Sequence, residues 1–265
     1  MRVFAGSLML LVLVVLTHCT HKPTKEDHMA AVDSLFNAYY DFKLRINPIE
    51  ATKAGENQYN DRVANYISDA YQEDVKENYT RFLRIIDRYD SSMITPAQWM
   101  SLRVMQWDCN IKLEGLNNKI VTVASPMYDI PSFELMPLGQ ITSLHLYFAQ
   151  LAAGRSVQPF NTVVDYENWL KRVDDYLVFL DTCMSNMREG IDQGVVLPKS
   201  LIVKMIPQLD EFISAPNTEH LFYGPITNMP TSFSPEDRLR LTQAYAEMIY
   251  NKIKPKYKEL QDFLK

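Results

Sequence analysis

Five histidines, three cysteines and a scatter of carboxylates are the residues with which this chain of 265 could do chemistry. A hydrolytic zinc site on a helix needs two histidines one turn apart with a glutamate between them. One helix face then offers both ligands, and the carboxylate activates the metal-bound water. His18, His21, His28, His145 and His220 do not have that spacing, and none is followed by Glu. The closest pair, His18 and His21, lies beside an export signal, so no metal ligand and no catalytic residue is assigned within the chain. His145 falls among Ile141, Leu144, Phe148 and Leu151 on one helical face. It reads as a core or rim histidine whose ring is hydrogen-bonded, with a cleft-lining role as the alternative. His220 follows Glu219 in a loop and lacks a second ligand nearby.

The thiols point the same way. Cys109 keeps step with Leu102, Leu113 and Leu116, and Cys183 with Leu180 and Met187, so both read as small buried hydrophobes. A disulfide between them is the lesser alternative, and neither has the neighbouring histidine or helix start that would make it a nucleophile. Asp174-Asp175 and Glu73-Asp74 are adjacent carboxylates, which a helix points about 100° apart, away from any common atom. They read as solvated faces. Fifteen tyrosines and twelve phenylalanines could line a peptide groove, but most keep helical step with core positions.

Helices must position all of these. Between Asp165 and Met187, Tyr166, Trp169, Leu170, Val173, Tyr176, Leu177, Leu180, Cys183, Met184 and Met187 recur at three- and four-residue steps, the apolar face of one long helix. Gly190 and Gly194 are expected to end it. A second amphipathic run starts at Pro198, and Pro207 should kink or stop it. Asn47-Pro48, Thr95-Pro96 and Ser234-Pro235 each place a capping side chain before a proline at the first helical position. The resulting map has helices over 27–45, 48–54, 68–89, 96–113, 140–153, 165–189, 198–213 and 235–263, the last bent at Pro255. Residues 119–137 are the least regular, with a β-leaning run from Ile120 to Val123, and 217–232 is a loop. The expected fold class is all-α, a multi-helix array of antiparallel amphipathic helices.

Residues 1–18 read as a signal peptide: Arg2, then an apolar run from Val3 to Leu16, short of the ~20 residues that span a bilayer. Leu16-Thr17-His18-Cys19 looks like a lipobox, with His18 where a small residue is usual. Cys19 is the expected lipid attachment point and the membrane the expected partner; an uncleaved anchor or a soluble secreted product are the alternatives. Residues 19–30 read as a polar tether and 31–265 as the helical domain. A formal net charge of −5 argues against nucleic acid and against charge-driven binding of acidic lipid. Eight glycines, well under the usual ~7%, fit a helical chain.

Several blocks carry a resemblance. QPFNTVVDYENWLKRV and NMREGIDQGVVLPKSLIVKMIPQL, with PIEATKAGENQYNDRVANYIS at 48–68 and PLGQITSLHLYFAQLAAG at 137–154, resemble in series the bacterial domain-of-unknown-function family numbered 885. Its members look like helical zinc metallopeptidases. The resemblance implies an exported, lipid-anchored, metallopeptidase-like protein of the cell envelope whose zinc-binding His-Glu pair lies in a C-terminal half beyond Lys265. On that expectation the chain is a truncated N-terminal half, without zinc and not catalytic alone, whose intact form would act on peptides. The alternative is a stand-alone helical lipoprotein that binds peptide or glycan. On the truncated reading the apolar stripe through Tyr257, Leu260, Phe263 and Leu264 awaits a partner, with a frayed terminal helix as the alternative.

Overall fold

The computed structural model describes residues 22–123, 130–141 and 143–265. The expected signal peptide and the expected lipid attachment point Cys19 lie outside the described residues. The chain runs through α1 (Lys25–Ile46), α2 (Pro48–Lys53), α3 (Asp69–Ile86) and α4 (Pro96–Asn117) into an antiparallel ribbon of β1 (Ile120–Val123) and β2 (Ile130–Phe133). It continues through α5 (Leu144–Ala152), α6 (Val163–Gln193), α7 (Lys199–Ser214), the single turn α8 (Gly224–Thr227), α9 (Pro235–Met248) and α10 (Lys254–Leu264). The class is all-α, with the ribbon where the β-leaning run stands.

Helix starts follow the capping chemistry. The side chains of Asn47, Thr95 and Ser234 accept the backbone N–H groups of Glu50, Gln98 and Asp237, each with proline at the start of the helix. Gln98 also reaches back to the Thr95 N–H, closing a capping box. Thr24 and Thr162 form the same box with Asp27 and Asp165. The Thr24 box starts α1 at Lys25, inside the stretch expected to be a structureless tether.

The long helix α6 is the axis of the larger of two apolar clusters. Tyr166, Trp169, Val173, Tyr176, Phe179, Leu180 and Cys183 are fully buried against α5, α7, α9 and α10. The aromatic residues do pack. Phe148 stacks on Tyr176 with centroids 3.9 Å apart and on Trp169 at 4.7 Å, while the Tyr176 and Tyr257 hydroxyls meet at 2.9 Å. The smaller cluster joins α1, α3 and α4 through Val32, Phe42, Tyr79, Phe82 and Leu102, and Tyr71 and Leu116 touch both clusters.

Four expectations are corrected. Gly190 does not end α6; it is buried inside the helix because a β-carbon there would sit 2.6 Å from the Val195 carbonyl oxygen and 2.9 Å from that of Leu135. Gly194, at φ +72°, is the terminator. Pro207 neither stops nor divides α7, because the carbonyl it deprives of a donor is four residues back at Val203, on a half-exposed stretch open to water. The interruption expected at Pro255 falls ahead of it, as a π-turn over Ile249–Ile253 in which the Lys254 N–H bonds the Ile249 carbonyl five residues back. The terminal stripe awaits no partner: Tyr257, Leu260 and Leu264 are already buried, with α7 packed along α10.

Candidate functional site

Two openings share a wall at the end of α1. The larger, about 820 Å³, lies between α1 and α4. These two helices run in the same direction: Gln98 donates to the Met29 carbonyl and to Asp33, and ten residues on Asp108 accepts from Tyr39 and from Lys43 at 2.9 Å. Few backbone positions of α1 and α4 come close, so a groove opens between them over a floor of Tyr39, Val75 and Tyr79. Its lining is mostly apolar, with Phe36 and Tyr40 from α1 and Val104, Trp107 and Ile111 from α4.

Among the polar residues that also line the groove, Asp108 ties the two helices together. Burial alone would raise the Asp108 carboxyl, but the hydrogen bonds from Tyr39 and Lys43 outweigh it and hold the group below the usual carboxylate range. Tyr39 is displaced upward by burial and by the same bond, so the phenol stays protonated as donor. A carboxylate held between a cation and a phenol is a charge-neutral latch between α1 and α4. No leaving group or nucleophile is positioned by it.

The second opening, about 530 Å³, is polar: Arg45, Asp61, Arg62, Asp74, Lys171 and Asp175 line it, and Ile46 and Tyr71 belong to both. The Tyr71 hydroxyl donates to the Ile46 carbonyl at 2.9 Å and separates the two spaces. Arg45 pairs with Asp74 at 2.9 Å across the mouth. Asp174 and Asp175 diverge, as helical geometry requires. Asp174 pairs with Lys252 at the surface, while Asp175 turns inward, is raised by burial and accepts the Val63 N–H at 3.1 Å.

His145, His220, Cys109 and Cys183 are all buried. His145 is fully buried, its Nδ1 against the Ser143 hydroxyl, and its Nε2 has no partner among the described residues. Burial pulls its pKa down to about 4, so the ring is neutral. His220 donates from Nε2 to the Phe212 carbonyl at 3.0 Å and accepts the Phe222 N–H at Nδ1, which fixes one tautomer and caps a turn. Cys109 and Cys183 are free and buried, one in each cluster. Burial raises Cys109 to about 11 and Cys183 well above its ordinary value. A zinc ion does not fit these residues: both ring nitrogens of His220 are engaged, His145 offers one nitrogen with no second ligand beside it, and among the described residues no group of three or more His, Cys, Asp or Glu is placed to hold a metal.

Sequence reasoning missed Arg172. It is fully buried, and its guanidinium donates to Gln158 Oε1 at 2.6 Å, Tyr59 O at 2.7 Å, Thr52 Oγ1 at 2.9 Å and Pro48 O at 3.3 Å. Burial lowers its pKa to about 10, which leaves it charged at neutral pH. These bonds fasten α2 and the following turn to α6. The signal was available in the phase, since Arg172 falls three residues after Trp169 and four before Tyr176, on the apolar face.

Comparisons with known proteins follow this geometry. A crystal structure from Colwellia psychrerythraea, provisionally described as that of a lipoprotein, superposes with a TM-score of 0.67 at 13% identity over 91% of this chain and 41% of the other. At that identity the likeness is one of fold, and this chain spans less than half the length of that protein. None of the curated proteins matches the chain. A family model described as a bacterial protein of unknown function (DUF885) matches residues 48–265, from the proline that opens α2 to the last residue of the sequence, and the chain belongs to that family.

Proposed function

We propose that residues 31–265 form the N-terminal helical part of a metallopeptidase-like lipoprotein, exported to the cell envelope and held to the membrane through a lipid on Cys19. The reading rests on one observation above others: the family match extends over 48–265, while the shared fold makes up only 41% of the solved protein. That relative's description as a lipoprotein supports the lipobox reading of Cys19. In this proposal the helices supply a wall of a peptide-binding cleft. The polar opening beside α2, with charges of both signs, has the chemistry for peptide backbone and charged ends. Zinc would enter only with the full family arrangement, and the chain is not catalytic alone.

Two measurements test this. The purified full chain should contain no stoichiometric zinc and cleave no member of a mixed peptide library; tightly held zinc with cleavage would overturn the assignment. Metabolic labelling with radioactive palmitate should mark the chain, and Cys19→Ser should abolish the label; an unlabelled wild type would remove the anchor.

A second reading, a self-sufficient helical lipoprotein that binds peptide or glycan, is favoured by the burial of the final turn of α10, which leaves the larger cluster closed on itself. A single cooperative thermal transition supports it, and strong binding of an apolar dye by the folded chain counts against it.

A further inference from the structure

We propose that the outer face of α4 is the surface by which this protein lies against a lipid bilayer, an inference that rests on the lipidation of Cys19 proposed above. α4 is apolar on two faces. Leu102, Met105 and Cys109 are buried against α1 and α3, yet Met100, Val104, Trp107 and Ile111 are 66%, 58%, 63% and 44% exposed. Those four recur at steps of four, three and four, one continuous stripe about 16 Å long. Tyr40, 49% exposed on α1, faces it across the groove.

The register between helices identifies what covers the stripe. Because α1 and α4 are parallel, the start of the stripe lies at the end of the molecule from which the chain leads back toward Cys19. Thr24, which caps α1, is five residues past Cys19, a span of at most about 18 Å even when fully extended. A lipid on Cys19 therefore holds this end of the α1–α4 pair within that distance of the bilayer. The anchor makes weak apolar contact effectively intramolecular, so a small patch suffices. A tryptophan and a tyrosine at the rim of an aliphatic stripe suit the headgroup boundary. Charge beside the stripe is largely paired, Lys43 with Asp108 and Glu50 with Lys53, and the Arg103 guanidinium lies over the Trp99 ring; Lys112 in the groove and the exposed Glu114 at the far end of the stripe would stay at the level of the headgroups. With a net charge of −5 the attraction is apolar, and zwitterionic lipid should serve as well as anionic. Four side chains offer on the order of a few hundred Å², well short of the roughly 800 Å² per partner of a stable dimer, so a second copy is the poorer occupant.

The test uses the full lipidated chain in phosphatidylcholine vesicles whose acyl chains carry bromine, read by tryptophan fluorescence. Trp169 is buried and Trp99 partly so, leaving Trp107 as the exposed indole. Quenching should occur, should fall by at least half in Trp107→Phe, and should not grow when anionic lipid is added. The double variant Val104→Glu with Ile111→Glu should lose the quenching while still floating with the vesicles through its lipid. Wild type that floats with Trp107 unquenched overturns the inference and leaves the anchor standing. A chain that neither takes up palmitate nor floats removes the anchor and this inference together. Trp107 shielded in a concentration-dependent dimer assigns the stripe to a second copy, and likewise overturns it.

Discussion

The helices around α6 and the unit of α1, α3 and α4 are built from the same kind of segment and end differently. Around α6, Trp169, Tyr176 and Leu180 find neighbours on every side, and even the polar Arg172 is enclosed. In the smaller unit α4 buries Leu102 and Cys109 but leaves Val104 and Trp107 in water. The difference separates two meanings of an apolar residue in a helix: the buried ones around α6 hold the fold together, whereas the outer ones on α4 do not.

Variants should rank accordingly. The largest loss is expected for Arg172→Met, which strands the Tyr59 carbonyl, Thr52 and Gln158 without their donor. About 3–5 kcal/mol of unfolding free energy should disappear in denaturant melts. A loss under about 1 kcal/mol would show that α2 does not need this fastening. Leu102→Ala on the inner face of α4 should cost ~2–5 kcal/mol by the same measurement.

Acid comes next. His145 titrates near 4 when folded and near its ordinary 6.5 when unfolded, so between those values the unfolded chain holds more protons. Stability is complete above about pH 6.5 and falls with pH down to about 4, by up to ~3 kcal/mol. His145→Gln should flatten that slope in melts run across the window. Gly190→Ala forces a methyl against two carbonyl oxygens and should cost ~1–3 kcal/mol. Smallest is Val104→Ser on the outer face of α4, expected within about 0.5 kcal/mol of wild type. A cost like that of Leu102→Ala would erase the contrast between the two faces.

What could be read from the sequence was local. Thr95 with Gln98, Asn47 with Pro48 and the phase of Trp169, Tyr176 and Leu180 lie within a few residues of one another, and the structure keeps each of them. What could not be read depends on residues far apart. Arg172 is buried because Pro48 and Tyr59 bring carbonyls to it from more than a hundred positions away. The latch of Tyr39, Lys43 and Asp108 joins helices that share no motif. Pro207 and Gly190 were misread because each has an ordinary meaning that the surroundings replace: an exposed flank in one case and a crowded one in the other.

The π-turn before Pro255 sets the phase of everything downstream. Inserting one residue into the turn advances the next helix by about 100° relative to an unbroken α-helix, and that rotation is what aims Tyr257, Leu260 and Leu264 at α7 rather than past it. Were these residues to close into ordinary α-helix with none removed, the inner residues of the rod would swing away from their neighbour, whereas a single deletion between Ile249 and Ile253 would absorb the wide turn and keep them facing it, so the extra residue and the wide turn belong together.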